Sequence, residues 1–126
     1  MLKRLRSDRG GAEVELAILG PILLLVIFGA VQITTYFTAR TVALSAAEVA
    51  VAAERRFDAQ PGAGRDRAEQ YLTQAGSWLV NAQVGDPVRT EDEVFVTVTG
   101  EAPSIIVTFQ IEQTARGTVE RFTELP

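Results

Sequence analysis

The pattern of apolar and polar positions changes period along the chain. From Leu16 to Val31 every residue is apolar, Gly or Pro, and no charge appears from Leu16 to Ala39, a span of 24 residues. At about 1.5 Å per residue that is a helix of roughly 36 Å, longer than a hydrocarbon core of about 30 Å. Pro21 falls inside this run and is expected to remove one helical hydrogen bond. Gly20 and Gly29 lie on either side of it. Small residues there either admit a neighbouring helix or are ordinary membrane-helix residues.

The helical pattern continues beyond the apolar run. Residues 41–57 are Ala-rich and free of Gly and Pro, and Val42, Ala46, Val49 and Ala53 form a narrow apolar stripe. Arg55 and Arg56 suit the negative end of a helix, and QPGAG at 60–64 is a stop signal. One helix is therefore expected from about Ala12 to Phe57. A second helix fits 65–79, with Ala68, Tyr71, Leu72, Ala75 and Leu79 on one face and Gly76 weakening its last turn. Trp78 is expected to anchor the core, with a place near the lipid surface as the alternative.

The period then becomes two. Residues 93–99 alternate and are β-branched, with Val94, Val96 and Val98 facing one way and Phe95, Thr97 and Thr99 the other. A weaker strand is expected at about 80–85 and a final one near 110–122. Gly100 and Pro103 are expected to close the 93–99 strand, with 103–108 a loop, a short turn or a strand extension. The predicted fold class is α+β: a long N-terminal helix extending out of a membrane, a second short helix, and a small antiparallel sheet of about three strands. The predicted division is a basic leader at 1–10, a long helix at 11–57 (membrane-spanning about 16–39, exterior extension 40–57), and a small exterior part at 58–126.

Charge orients this arrangement. Residues 1–10 carry Lys3, Arg4, Arg6 and Arg9 against Asp8 alone, whereas residues 41–126 carry seven Arg against thirteen Asp and Glu. The basic flank places the N-terminus in the cytoplasm and the acidic remainder outside, in a single-pass topology. An acidic exterior argues against nucleic acid, which needs clustered Lys and Arg. The chain has no Cys and no His. Disulfides, Cys-ligated zinc and a Ser-His-Asp arrangement are therefore excluded, and no phosphate-binding glycine loop is present. No catalytic residue, cofactor, metal or small-molecule substrate is expected, and an enzyme is the least favoured class. The acidic run Glu91-Asp92-Glu93 reads as a solvated turn, because three adjacent acids cannot all face one ion. Lys3 is the only lysine, so without the leader Lys-dependent cross-linking between subunits is ruled out.

The junction reads R-G-G-A-E-V-E-L, in which Gly10 is followed five positions on by Glu15 and then by the apolar run. This resembles the precursors of type IV pilins, which a prepilin peptidase cleaves after a Gly so that Glu becomes mature residue five. Residues 9–33, RGGAEVELAILGPILLLVIFGAVQI, most resemble the TadE-like minor pilins (pseudopilins) of the tight-adherence (Tad) pilus system, in the early Pro, the Leu-rich stretch and the Phe28-Gly29 pair. Leu16 departs from the pattern, where an aromatic is more usual. The resemblance implies cleavage between Gly10 and Gly11, with a cut after Gly11 as the alternative. Counting from Glu13 instead would put the cut after Asp8, which is not a Gly. It further implies assembly through the N-terminal helix with other pilin subunits and Tad membrane platform proteins, an inner-membrane location, and incorporation into a pilus that serves adhesion. Glu15 then has a physical role. A carboxylate at the lipid boundary is costly unpaired, and a new α-amino group on Gly11 of a neighbouring subunit would compensate it. On the residues alone, Glu13 and Glu15 also suit the headgroup level at a helix start.

Two other readings give related topologies. A secretory signal peptide fits the basic flank and the small residues at Leu44-Ser45-Ala46, but not two Glu before a run this long. An uncleaved single-pass protein with an exterior accessory or sensor-like domain predicts the same orientation without processing.

Overall fold

The computed structural model describes residues 2–56 and 58–121, with side chains from Gly10 onward. Helix α1 spans Leu2–Glu54 and α2 spans Ala63–Ala75. They are followed by β1 (Val80–Val84), β2 (Val88–Arg89), β3 (Glu93–Glu101) and β4 (Gln110–Thr118). The architecture is α+β, with both helices against one face of an antiparallel four-strand sheet.

Strand β3 is the centre of the sheet. It pairs along its whole length with β4, from Glu93↔Thr118 to Glu101↔Gln110. Its other edge is shared end to end by β1, which pairs Val84 with Val98, and β2, which pairs Val88 with Phe95. The sheet has four strands but is three strands wide. Gly85-Asp86-Pro87 interrupts what would otherwise be one edge strand, and the Gly85 N–H still donates to the Thr97 carbonyl at 2.8 Å. Pro at a strand edge removes a ladder donor, which accounts for the break. A second irregularity lies in β1, where the register shifts between Val80 and Gln83 and Asn81 has φ 52°.

The alternation read in β3 sorts its two faces. Val94, Val96 and Val98 are buried against the helices, while Phe95, Thr97 and Thr99 lie on the other face. Burying one such side chain contributes about 1.5–3 kcal/mol. Across from them, α1 presents Ala39, Val42, Ala43, Ala46, Ala47, Ala50 and Val51. This seam is wider than the predicted stripe, and Val49 and Ala53 are only half-buried. Two partners cause the difference: the sheet takes one flank of α1 and α2 the adjoining flank, so two rows of small side chains are covered.

Several expectations shift. The backbone of α1 is helical from Leu2, not from Ala12, because Leu, Lys and Arg are good helix formers and Pro21 is the first Pro. The expected end at Phe57 lies outside the described residues; α1 stops at Glu54, whose carbonyl accepts from Arg89 Nη1 at 3.3 Å. α2 covers 63–75, not 65–79, since Gly76 adopts φ 79° and ends it. Trp78, left in the turn after it, is 48% exposed and is not a core anchor. β3 runs through Gly100 instead of stopping before it, because Leu79 packs where a side chain would stand: a Cβ there would lie 2.7 Å from Leu79 Cγ. β4 ends at Thr118, and residues 102–109 form a loop.

The start of α2 rests on the end of α1. The Gly64 N–H donates to Glu54 Oε1 at 2.8 Å, and a Cβ on Gly64 would lie 2.7 Å from the Ala50 carbonyl oxygen. The QPGAG signal therefore combines a turn with a close helix contact.

Candidate functional site

Gly10, Gly11 and Glu15 share the entrance of the apolar stretch, on the exposed surface of α1. The helix passes unbroken through the two glycines, and a Cβ on either would meet nothing within 4 Å. Each Gly costs a helix about 1 kcal/mol relative to Ala, so this pair loosens α1 toward an extended backbone. Gly11 and Glu15 are four residues apart and lie one turn above another on one face. Among the described residues neither Glu13 nor Glu15 makes an ion pair.

Above this entrance α1 is bare. The helix is long and apolar enough to cross a membrane, and its most apolar window has a mean hydropathy of 2.5 and is only 6% buried within the structure. The large apolar side chains from Leu16 to Val31 are 41–72% exposed. A helix that served as the core of a water-soluble fold would be covered, and this one is not. Pro21 sits inside it without ending it.

Coverage begins at Gln32, a residue the sequence reading did not single out. Its side chain is 6% exposed, and its Oε1 accepts the Ile105 N–H at 3.0 Å and the Ile106 N–H at 3.4 Å. Its Nε2 has no hydrogen-bond partner among the described residues. One turn on, the Thr35 hydroxyl bonds the Gln32 carbonyl at 2.9 Å and reaches the Pro103 carbonyl at 3.4 Å. Tyr36 meets the ring of Phe109 edge to face, with centroids 5.6 Å apart. The signal that would have found this contact is the first amide side chain after sixteen apolar, Gly or Pro positions. The exposed threonines of this stretch bond their own helix: Thr34 to the Ala30 carbonyl and Thr38 to the Thr34 carbonyl, each at 2.9 Å. Such back-bonding satisfies hydroxyls where water is scarce.

Some of the surface charges are held by contacts within the fold. Arg65 lies within a shallow polar cleft of about 550 Å³, where it reaches Asp86 at 3.4 Å, Glu69 at 3.5 Å and the Val84 carbonyl at 3.2 Å. Glu91-Asp92-Glu93 forms the turn into β3, with Asp92 Oδ1 2.7 Å from Arg121 Nη2. Among the described residues no group of three or more acidic side chains could hold a metal ion.

Residues 10–52 match the family described as TadE-like protein. The match opens at Gly10, takes in the whole bare stretch of α1, and ends before α2 and the sheet. No curated protein and no solved structure matches the chain.

Proposed function

With a TadE-like helix as premise, we propose that this chain is a minor pilin (pseudopilin) that takes part in assembling or priming a Tad-type pilus. The observation that carries the reading is the bare apolar half of α1 inside the TadE-like segment, joined without a break to a half that is covered by its own sheet. Such a helix spans the membrane once while the precursor waits and packs against other pilin helices once assembled. The N-terminus lies in the cytoplasm and the α2 and sheet part outside the inner membrane, in line with the basic flank.

Processing removes residues 1–10. A prepilin peptidase takes the Gly10–Gly11 bond, where two adjacent glycines loosen α1 and no neighbouring group packs against it. The freed Gly11 amine then stands on the same face as Glu15. In a bundle, the amine of one subunit pairs with Glu15 of the next, which removes the cost of a lone carboxylate at the lipid boundary and fixes helix register. Pilin subunits and the Tad membrane platform are the partners, and the contact surface is the exposed run from Leu16 to Val31.

Intact-mass measurement of membrane-purified protein, with and without the peptidase, tests the processing step. The expected result is a chain beginning at Gly11 only when the peptidase is present. A full-length chain in both samples removes the pilin reading and leaves an uncleaved single-pass anchor. For the second step, Glu15→Ala is expected to be inserted and cleaved normally but depleted from sheared pilus fractions, as read by immunoblot. Wild-type levels in those fractions would show that Glu15 has no part in assembly.

A further inference from the structure

We infer that the loop 102–109 is a second membrane contact, whose apolar side chains enter the outer leaflet beside α1. Ile105, Ile106, Val107 and Phe109 are all exposed, Ile106 the most at 62%. No charged residue occurs between Glu101 and Glu112. Four large apolar side chains exposed together on one short loop call for a cover.

The position of the loop along α1 identifies that cover. Ile105 and Ile106 hang by their amides from Gln32, inside the uncharged span that begins at Leu16. Gln32 lies sixteen residues beyond Leu16, about 24 Å along the helix, so it falls short of the far boundary of a hydrocarbon core of about 30 Å. A loop fastened at that level stands at lipid height. Its amides at 105 and 106 are satisfied by Gln32, and the Ala102 N–H donates to the Phe109 carbonyl at 3.0 Å to close its base. Backbone near lipid needs such internal partners.

A polar line bounds the loop on the side of the sheet. Glu101 accepts from Gln110 Nε2 at 2.8 Å and from Asn81 Nδ2 at 3.3 Å. Exposed Val80 pairs with Glu101, and exposed Trp78 precedes it by two residues, so Trp78 stands at this same end of the sheet. Trp is the side chain favoured where a membrane meets water. The end of the sheet thus carries polar, Trp and aliphatic side chains together, the mixture a bilayer surface accommodates. An insertion of about 5–10 Å is the depth usual for interfacial segments.

The inference rests on α1 spanning the membrane, and its test separates the two ideas. The chain has no cysteine, so single substitutions give unique labelling sites in the full-length protein. Ile106→Cys, Val107→Cys, Leu24→Cys and Glu91→Cys, each carrying a nitroxide, are reconstituted into phosphatidylethanolamine–phosphatidylglycerol vesicles. Collision rates are read with oxygen, which concentrates in lipid, and with a water-soluble nickel chelate. The expected result is an oxygen-to-nickel ratio at Ile106 and Val107 several-fold above that at Glu91 and close to that at Leu24. A Leu24-like value at Leu24 with Glu91-like values at Ile106 and Val107 overturns the loop contact while the span stands. Aqueous values at Leu24 overturn both. Aqueous values at 106 and 107 in vesicles that become shielded only in assembled fibres also overturn it, and assign the loop to a contact between subunits.

Discussion

Gln32→Met replaces an amide with a side chain of similar length that accepts no strong hydrogen bond. In the native protein one well-formed bond, Ile105 N–H to Oε1 at 3.0 Å, and one long bond, Ile106 N–H at 3.4 Å, fasten the loop to α1. Removing the acceptor strands a backbone donor, a loss of about 1–3 kcal/mol. Two effects reduce that figure. The unpartnered Nε2 of Gln32 disappears with the side chain, and hydrogen bonds between membrane-level groups average about 0.6 kcal/mol with a maximum near 1.7. The net expectation is about 1–2 kcal/mol against loop docking, a factor of roughly 5–30 in the open population. Amide exchange measured by NMR on the full-length protein in bicelles checks it. Ile105 should exchange about 5- to 30-fold faster in the variant, by the same conversion, while Val96 at the centre of β3 keeps its native rate. Unchanged exchange at Ile105 would refute the role assigned to Gln32. Equal acceleration at Ile105 and Val96 would refute the idea that it fastens the loop alone.

Two further substitutions probe the packing on α1. Gly64→Ala gains about 1 kcal/mol of helix propensity but drives a Cβ against the Ala50 carbonyl oxygen, so denaturant titration should show a net loss of about 1–2 kcal/mol. Val96→Ala empties a fully buried position facing α1 and should cost about 2–3 kcal/mol in the same titration, with no effect on membrane insertion.

The parts of this fold governed by local pattern were legible in the residues. An uncharged run of this length has one structural solution in lipid, and the strict alternation of 93–99 determines which valines meet α1. The parts governed by contacts distant in sequence were not. Gly100 looks like a strand breaker until Leu79 is seen occupying the space of its missing side chain. Trp78 looks like a core residue by size, yet Gly76 ends α2 two residues earlier and turns it outward. The seam of α1 lies one residue from the predicted stripe along part of its length, because two packing partners broaden a stripe that a single partner would keep narrow. At the candidate site, Gly10, Gly11 and Glu15 could be picked out through the resemblance to pilin precursors. Gln32 could not, since its meaning comes from amides more than seventy residues away.

The Ala-rich half of α1 has a consequence for how this protein can be divided. Ala39 through Val51 supply one side of the hydrophobic core, and no linker separates them from the bare stretch below. The anchor and the folded part therefore share a segment. A protease cutting between Ala39 and Val51 would release no intact globule into the surroundings, only a sheet stripped of part of the wall it packs on. A soluble fragment for biochemistry must keep the helix from about Gln32 onward, and with it the exposed threonines and aromatics of its membrane-level end. Shedding by a single cut beyond Ala39 and retention of structure exclude one another here.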